Sequence, residues 1–209
     1  MDNSTDLKVI EYKSKINDES IEDIFKILRE ENSKSILSKI SKKVFIKYIN
    51  LLINSKNIYL FTLTVNEQIA GYAIIAEKPK YLIQDFKSLK FEIFLSLLLK
   101  GKLFSLLDIM MTILKLDTFG ISRENKVILN ESLNLNLIAI KKEFQSIGYG
   151  EKFLQNIIKK MKEKDNYKYI FCETYSQKAE KFYLKKFDFV YFGKKFRTSG
   201  ILKILKKKL

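Results

Sequence analysis

Apolar side chains recur along this chain at two spacings, every second residue and every third or fourth, and the switches between them mark its elements. "LKVIEY" (7–12) is β-branched and partly alternating, and reads as a first strand. In "DESIEDIFKILREE" Ile21, Ile24, Phe25 and Leu28 share one helical face, with Ser20 and Asp23 as a capping pair. Ile36, Leu37, Ile40, Val44, Tyr48 and Leu52 repeat that spacing and predict a second helix over 35–54. "IYLFTLTV" and "QIAGYAIIA" flank Asn66-Glu67 as two strands flank a hairpin turn, and Pro79, the only proline, marks the hairpin's end.

Residues 80–130 differ from what precedes them. "FKSLKFEIFLSLLLKGKLFSLLDIMMTILKL" predicts two helices meeting near Gly101, apolar around most of their circumference and therefore expected to be buried. "ESLNLNLIAI" then alternates Leu133, Leu135 and Leu137 against Asn134 and Asn136 before turning wholly apolar, a strand whose far end is expected to be covered on both faces. A helix follows with Phe153, Leu154, Ile157, Ile158 and Met161 on one side. "YKYIFCETY" is a fifth strand, "QKAEKFYLKK" a short helix, "FDFVYFGKKF" a sixth strand, and 196–205 a candidate seventh. The order predicts a single α/β domain over 1–209, a mixed central sheet of six to seven strands flanked by helices. A helical hairpin at about 80–130 interrupts it between the third and fourth strands.

Charge narrows the partners. The chain carries a formal +15, from 39 Lys and Arg against 24 Asp and Glu, a field that attracts nucleic acid, anionic lipid or phosphorylated small molecules. The lysines are dispersed rather than gathered into an aromatic-laced stripe, which argues against nucleic acid. One cysteine, Cys172, allows no internal disulfide and fits a reducing, cytoplasmic setting. With no histidine, zinc and haem sites are not expected and Ser-His or Cys-His nucleophile pairs are excluded. The first residues, "MDNSTDLKVIEYKSK", lack the pattern of a signal peptide. The apolar stretch 91–116 is interrupted by Lys100, Lys102, Asp108 and Lys115, so a conventional transmembrane pass is not expected, although peripheral membrane contact and a homodimer interface both suit it. The terminal "ILKILKKKL" reads as basic and amphipathic, or as a frayed end.

The candidate chemistry lies in "KKEFQSIGYGEKFLQNIIKK" (141–160), where Gly148 and Gly150 stand between an apolar strand and a helix. A strand, a glycine turn and a helix N-terminus form a place for an anion, most naturally a pyrophosphate, although the same two glycines also occur in purely structural turns. Neither G-x-x-x-x-G-K-[ST] nor a full G-x-G-x-x-G is present. With the element order, the motif Gln145, Gly148, Gly150 resembles the Q/R-x-x-G-x-G/A signature of the GNAT superfamily of acyl-CoA-dependent N-acetyltransferases, and Glu143 fills its frequent acidic position. A second block, A-x-x-F-Y-x-x-x-G-F, is met by Ala179, Phe182 and Tyr183, then Asp188-Phe189. Ser176, Asp188 and Lys142 depart from the Asn, Gly and Pro common in the family.

The resemblance implies acetyl-CoA as cosubstrate and a small-molecule amine as acceptor. It implies that Ile138, Ala139 and Ile140 pair their main chain with the pantetheine arm, with the Ile138 N–H on the thioester carbonyl. The N–H groups of Gln145, Ser146, Ile147, Gly148, Tyr149, Gly150 and Glu151 would receive the pyrophosphate, with Ser176 and Lys178 nearby. Tyr183 would be the general acid and Glu173 or Glu131 the base, each carboxylate having an ordinary lysine pair as its alternative reading. Helical additions on this fold suggest an amino sugar linked to a nucleotide as acceptor. A longer acyl-CoA or acyl carrier protein used at a membrane, and a non-catalytic binding protein on the same frame, are the rival readings.

Overall fold

In this computed structural model residues 6–79, 81–84, 87–114, 121–164 and 167–209 are described. The elements are β1 (Leu7–Tyr12), α1 (Asp18–Glu31), α2 (Lys42–Ile53), β2 (Ile58–Val65), β3 (Gln68–Ala76), α3 (Tyr81–Gln84), α4 (Lys90–Leu99), α5 (Leu103–Ile113) and α6 (Arg123–Asn130). They continue with β4 (Leu133–Ile140), α7 (Tyr149–Lys164), β5 (Tyr169–Thr174), α8 (Gln177–Phe187), β6 (Val190–Arg197) and β7 (Gly200–Lys208). The chain divides into two units, Met1–Ile75 with Leu137–Asn166, and Ala76–Asn136 with Tyr167–Leu209, and the boundary runs through β4. The strand orders, β1-β2-β3-β4 in the first unit and β4-β5-β7-β6 in the second, give a seven-stranded sheet.

In the first unit β1 and β2 are antiparallel, Leu7 opposite Val65 and Tyr12 opposite Leu60. Asn66 and Glu67 take positive φ angles of 48° and 66°, the turn that suits the twist of a two-residue hairpin. Asn17, not Ser20, caps α1 by accepting the Ser20 N–H at 2.9 Å. The predicted second helix splits into a 3-10 turn (Ile36–Ser38) and α2, because Ser35 and Ser41 each accept a main-chain N–H and start a new element. Phe25 and Phe45 join α1 to α2 with ring centroids 4.8 Å apart. Lys160 donates to the Val9 carbonyl, and Lys164 pairs with Glu11 and covers the Tyr59 ring at 3.9 Å, which fixes α7 on the first two strands.

In the second unit β4 runs parallel to β5 over Leu133–Leu135, and β7 lies antiparallel between β5 and β6. The basic terminus is therefore neither an amphipathic tail nor a frayed end but an internal strand. Its Leu202, Ile204 and Leu205 are buried, while Lys203 pairs with Glu180 and Lys206 covers the Tyr169 and Phe192 rings. β4 also reverses its expected burial. Its near end is covered on both faces, Asn134 included, and Leu137, Ile138 and Ile140 at its far end are half-exposed. The β5 ladder, which stops at Leu135 opposite Cys172, shields only the near end.

The helical insertion between β3 and β4 has the predicted place and the opposite orientation. Ser96, Ser105 and Asp108 face inward, Asp108 at 3% exposure, whereas Leu99 is 78% and Phe104 72% exposed. The inner contacts are polar. The Asp108 carboxylate accepts the Thr198 N–H at 2.7 Å and its hydroxyl at 2.9 Å, and Arg197 donates to the Thr112 hydroxyl at 2.9 Å. α6, capped by Ser122, was not foreseen; its Leu129 packs with Ile121, Phe171 and Ile204.

Gly71 shows how tightly β3 lies on the end of β4. A Cβ there would stand 2.6 Å from the Ala139 carbonyl oxygen and inside the Ile140 side chain. Gly71→Ala is expected to destabilise the protein by about 1–3 kcal/mol through overpacking, read as a lower urea midpoint with an unchanged slope.

Candidate functional site

The first unit holds the glycine turn. After β4 the Lys141 N–H donates to the Ala70 carbonyl at 2.8 Å, a 3-10 turn follows over Lys142–Phe144, and the chain extends at Gln145. The Gln145 side-chain amide donates to the Ile140 carbonyl at 2.8 Å and to the Glu31 carboxylate at 2.7 Å. One side chain thereby ties the turn to the end of β4 and the end of α1. Ser146 and Gly148 then take φ angles of 67° and 89°. A Cβ on Gly148 would meet no atom within 4 Å, so glycine is required there by backbone conformation rather than by space.

α7 starts directly after. The Lys152 N–H donates to the Gly148 carbonyl at 3.1 Å, so the main-chain N–H groups of Tyr149 and Gly150 precede the first hydrogen bond of the helix. They lie at the positive end of the helix dipole. Ser146, Ile147 and Gly148 are exposed, as are Lys142 and Lys152 on either side and Glu143 beside them. A ligand with several anionic oxygens fits this turn. At the end of β4 the Asn32 amide donates to the Ile138 carbonyl at 3.4 Å and to the Tyr72 hydroxyl at 3.2 Å, and Ala139 is buried.

The second unit holds the other predicted residues. Tyr183 is 4% exposed, its ring against Phe182 at 5.5 Å and Phe189 at 5.3 Å. Burial, with Cys172 adding to it, raises its phenol well above the ordinary value, so the proton stays on at neutral pH. Four residues, Leu184–Phe187, separate Tyr183 from Asp188, one more than in the family pattern. The extra residue lies within α8, and Asp188 closes that helix in the left-handed region at φ 52°, as a glycine would. Ser176 caps α8 by accepting the Ala179 N–H at 3.2 Å, and Lys178 and Lys181 are exposed on it.

Glu173 pairs with Lys195 at 2.5 Å, both side chains being mostly buried. Glu131 is exposed and pairs with Lys78. The structure does not bring these two carboxylates together. Glu131 precedes the first β4–β5 pair, Leu133–Ile170, and Glu173 follows the last, Leu135–Cys172, so they stand at opposite ends of a parallel ladder. Near Glu173 sits Tyr175, half-buried, whose phenol is raised first by burial while Arg197 acts in the other direction. Among the described residues no three His, Cys, Asp or Glu side chains gather as metal ligands.

Sequence reasoning missed Glu31, Asn32, Lys195 and Tyr175. The first two act 114 and 106 residues away from their own positions, and no local pattern signals such a contact. Lys195 was one lysine among many, and becomes visible only when the β6–β7 hairpin places it on β5.

Residues 120–207 match the family model described as an acetyltransferase (GNAT) domain. No curated protein sequence matches the chain. Among solved structures, an acetyltransferase from Thermus thermophilus superposes with a TM-score of 0.58 at 10% identity, with 97% of each chain covered. A GNAT-family acetyltransferase from Streptococcus pneumoniae gives 0.57 at 14% identity, covering 98% of this chain and all of its own. A mosquito arylalkylamine N-acetyltransferase-like protein gives 0.58 at 10%, covering 97% and 100%. At these identities the likeness is one of fold.

Cys172 lies buried between neighbours, and desolvation raises its thiol well above the ordinary value. A thiol reagent such as DTNB is expected to label it only as fast as the protein unfolds; prompt labelling at neutral pH would contradict this burial. Gly148→Ala is expected to cost about 1–2 kcal/mol of stability from its positive φ alone, measured by urea unfolding.

Proposed function

We propose that this chain is an acetyltransferase of the GNAT superfamily and transfers an acetyl group from acetyl-CoA to a primary amine, a reading supported by the family-model match over residues 120–207. The observation that carries the reading is the turn held by Gln145, in which Gly148 at φ 89° opens the amino end of α7, where main-chain N–H groups and the positive end of the helix dipole meet. The N–H groups of Ser146, Ile147 and the start of α7 take the pyrophosphate, whereas the Gln145 N–H is already held by the Lys142 carbonyl at 3.2 Å. The end of β4, where Ile138 and Ile140 are half-exposed, takes the pantetheine amides. The Ile138 N–H faces the thioester carbonyl and stabilises its developing negative charge. Lys178 and Lys142 supply positive charge for the phosphates, and Ser176 orders the start of α8.

Acetyl-CoA supplies the thioester that the amine attacks; no covalent enzyme intermediate is required. Counting forward from Ala179 gives the acid's place to Tyr183, and counting back from Asp188 gives it to Leu184, which has no proton to donate. The role therefore falls to Tyr183, whose buried phenol holds its proton until a thiolate departs. Glu173 is the base that removes the ammonium proton, directly or through water, with Lys195 orienting its carboxylate. Glu131, paired with Lys78 at the other end of the ladder, stays outside the chemistry. A cytoplasmic setting agrees with the single buried thiol. For the acceptor we take an amino sugar linked to a nucleotide, because a +15 protein draws anions and repels polyamines.

Calorimetric titration is expected to show saturable one-site binding of acetyl-CoA that ADP does not reproduce, and the absence of such binding would overturn the reading. Tyr183→Phe is expected to lower turnover about a hundredfold with acetyl-CoA affinity nearly unchanged. Wild-type turnover in that variant would remove Tyr183 from the mechanism. In an amine panel the nucleotide-linked amino sugar is expected to outpace spermidine; the reverse order would overturn the acceptor assignment.

A further inference from the structure

The α4–α5 hairpin is built inside out. Its buried positions are Ser96, Leu97, Ser105 and Asp108, three of the four polar, and its exposed ones include Phe91, Leu99, Leu103, Phe104 and Ile113. Soluble helices place these two classes the other way round. The inner polar residues are accounted for by the protein itself, Asp108 by Thr198 and Thr112 by Arg197. The outer apolar face therefore needs a partner, and its charges say which. The two acidic side chains of the hairpin are turned away from solvent, Asp108 buried and Glu92 half-buried. Among the described residues the exposed charges along it are all lysines, Lys90 at the start of α4 and Lys100 and Lys102 flanking Gly101 at the tip.

We infer that this hairpin docks the protein on an anionic lipid bilayer, lying flat in the interface with its apolar face among the acyl chains and its lysines on the headgroup phosphates. Helices of 10 and 11 residues reach about 15–17 Å, half of a hydrocarbon core of about 30 Å, so the hairpin does not span. Among the described residues no helix is long and apolar enough to do so. Entry tip first would carry Lys100 and Lys102 into the acyl region, whereas a flat pose lets them reach back to the phosphates. A second copy of the chain fits worse, because the same face would set lysines against lysines between two bodies of formal charge +15. The inference does not depend on acetyl transfer and is read out without it.

The full chain is mixed with phosphatidylcholine vesicles with and without phosphatidylserine and sedimented. The protein is expected to follow the serine-containing vesicles and to remain in solution with the neutral ones. The double variant Leu99→Glu, Phe104→Glu is expected to lose about tenfold or more of that partition, while its circular dichroism melt stays cooperative because both side chains are exposed. Leu103→Glu serves as a second, independent probe of the face. Lys100→Ser and Lys102→Ser are each expected to weaken the partition about fivefold. Absence of binding to the anionic vesicles would overturn the inference. So would undiminished binding by the apolar-to-glutamate variants, which would assign binding to lysines elsewhere, or a lipid-free dimer that those variants split, which would assign the face to a second copy.

Discussion

The Gln145 side chain donates its amide protons to acceptors from elements far apart in sequence, the Ile140 carbonyl at the end of β4 and the Glu31 carboxylate at the end of α1. Everything proposed for the ligand turn depends on that brace. Ser146 and Gly148 both take positive φ, and a Cβ at Gly148 would meet no atom within 4 Å, so the brace, with the Phe144–Tyr149 ring contact across the turn, is what holds the turn's conformation. With the brace, the end of β4 and the start of α7 keep a fixed spacing. Asn32, one residue beyond Glu31, grips the Ile138 carbonyl in the same way. The end of α1 is thus the anchor of the turn, although it contributes nothing that would touch a ligand.

The two candidate catalytic groups occupy different environments for a physical reason. Tyr183 packs in an aromatic cluster, which disfavours its phenolate and keeps the phenol protonated. Glu173 follows Cys172 directly on β5, so it points to the opposite face, where the β6–β7 hairpin supplies Lys195.

Much of the fold was legible in the sequence because its elements announce themselves locally. The β2–β3 hairpin, β5, α7 and the place of the insertion follow from periodicity and turn residues. What was not legible depended on partners distant in sequence. β7 was legible as a candidate strand over 196–205, but its lysines left its last residues open to a basic-tail reading, and only pairing with β5 and β6 shows that it is an interior strand reaching Lys208. The far end of β4 looked deeply buried because it is wholly apolar, yet its ladder to β5 stops at Leu135. The insertion looked like a buried pair of helices because its hydrophobicity runs all round, and Ser96, Ser105 and Asp108 turned out to face the protein beside Leu97 while most of its large apolar side chains are exposed. Of the candidate site, the glycine turn was readable from its motif. The Gln145 brace and the Lys195 partner were not, since no spacing rule connects residues that meet only through the tertiary fold.

The central claim is that main-chain N–H groups between Ser146 and Gly150 receive the phosphates of acetyl-CoA. Hydrogen exchange followed by mass spectrometry, with and without acetyl-CoA, tests it most directly, because an amide exchanges more slowly once a ligand accepts its proton. The account predicts slowed exchange in peptides covering 145–151. Saturating acetyl-CoA that leaves those peptides exchanging as in the ligand-free protein would contradict it.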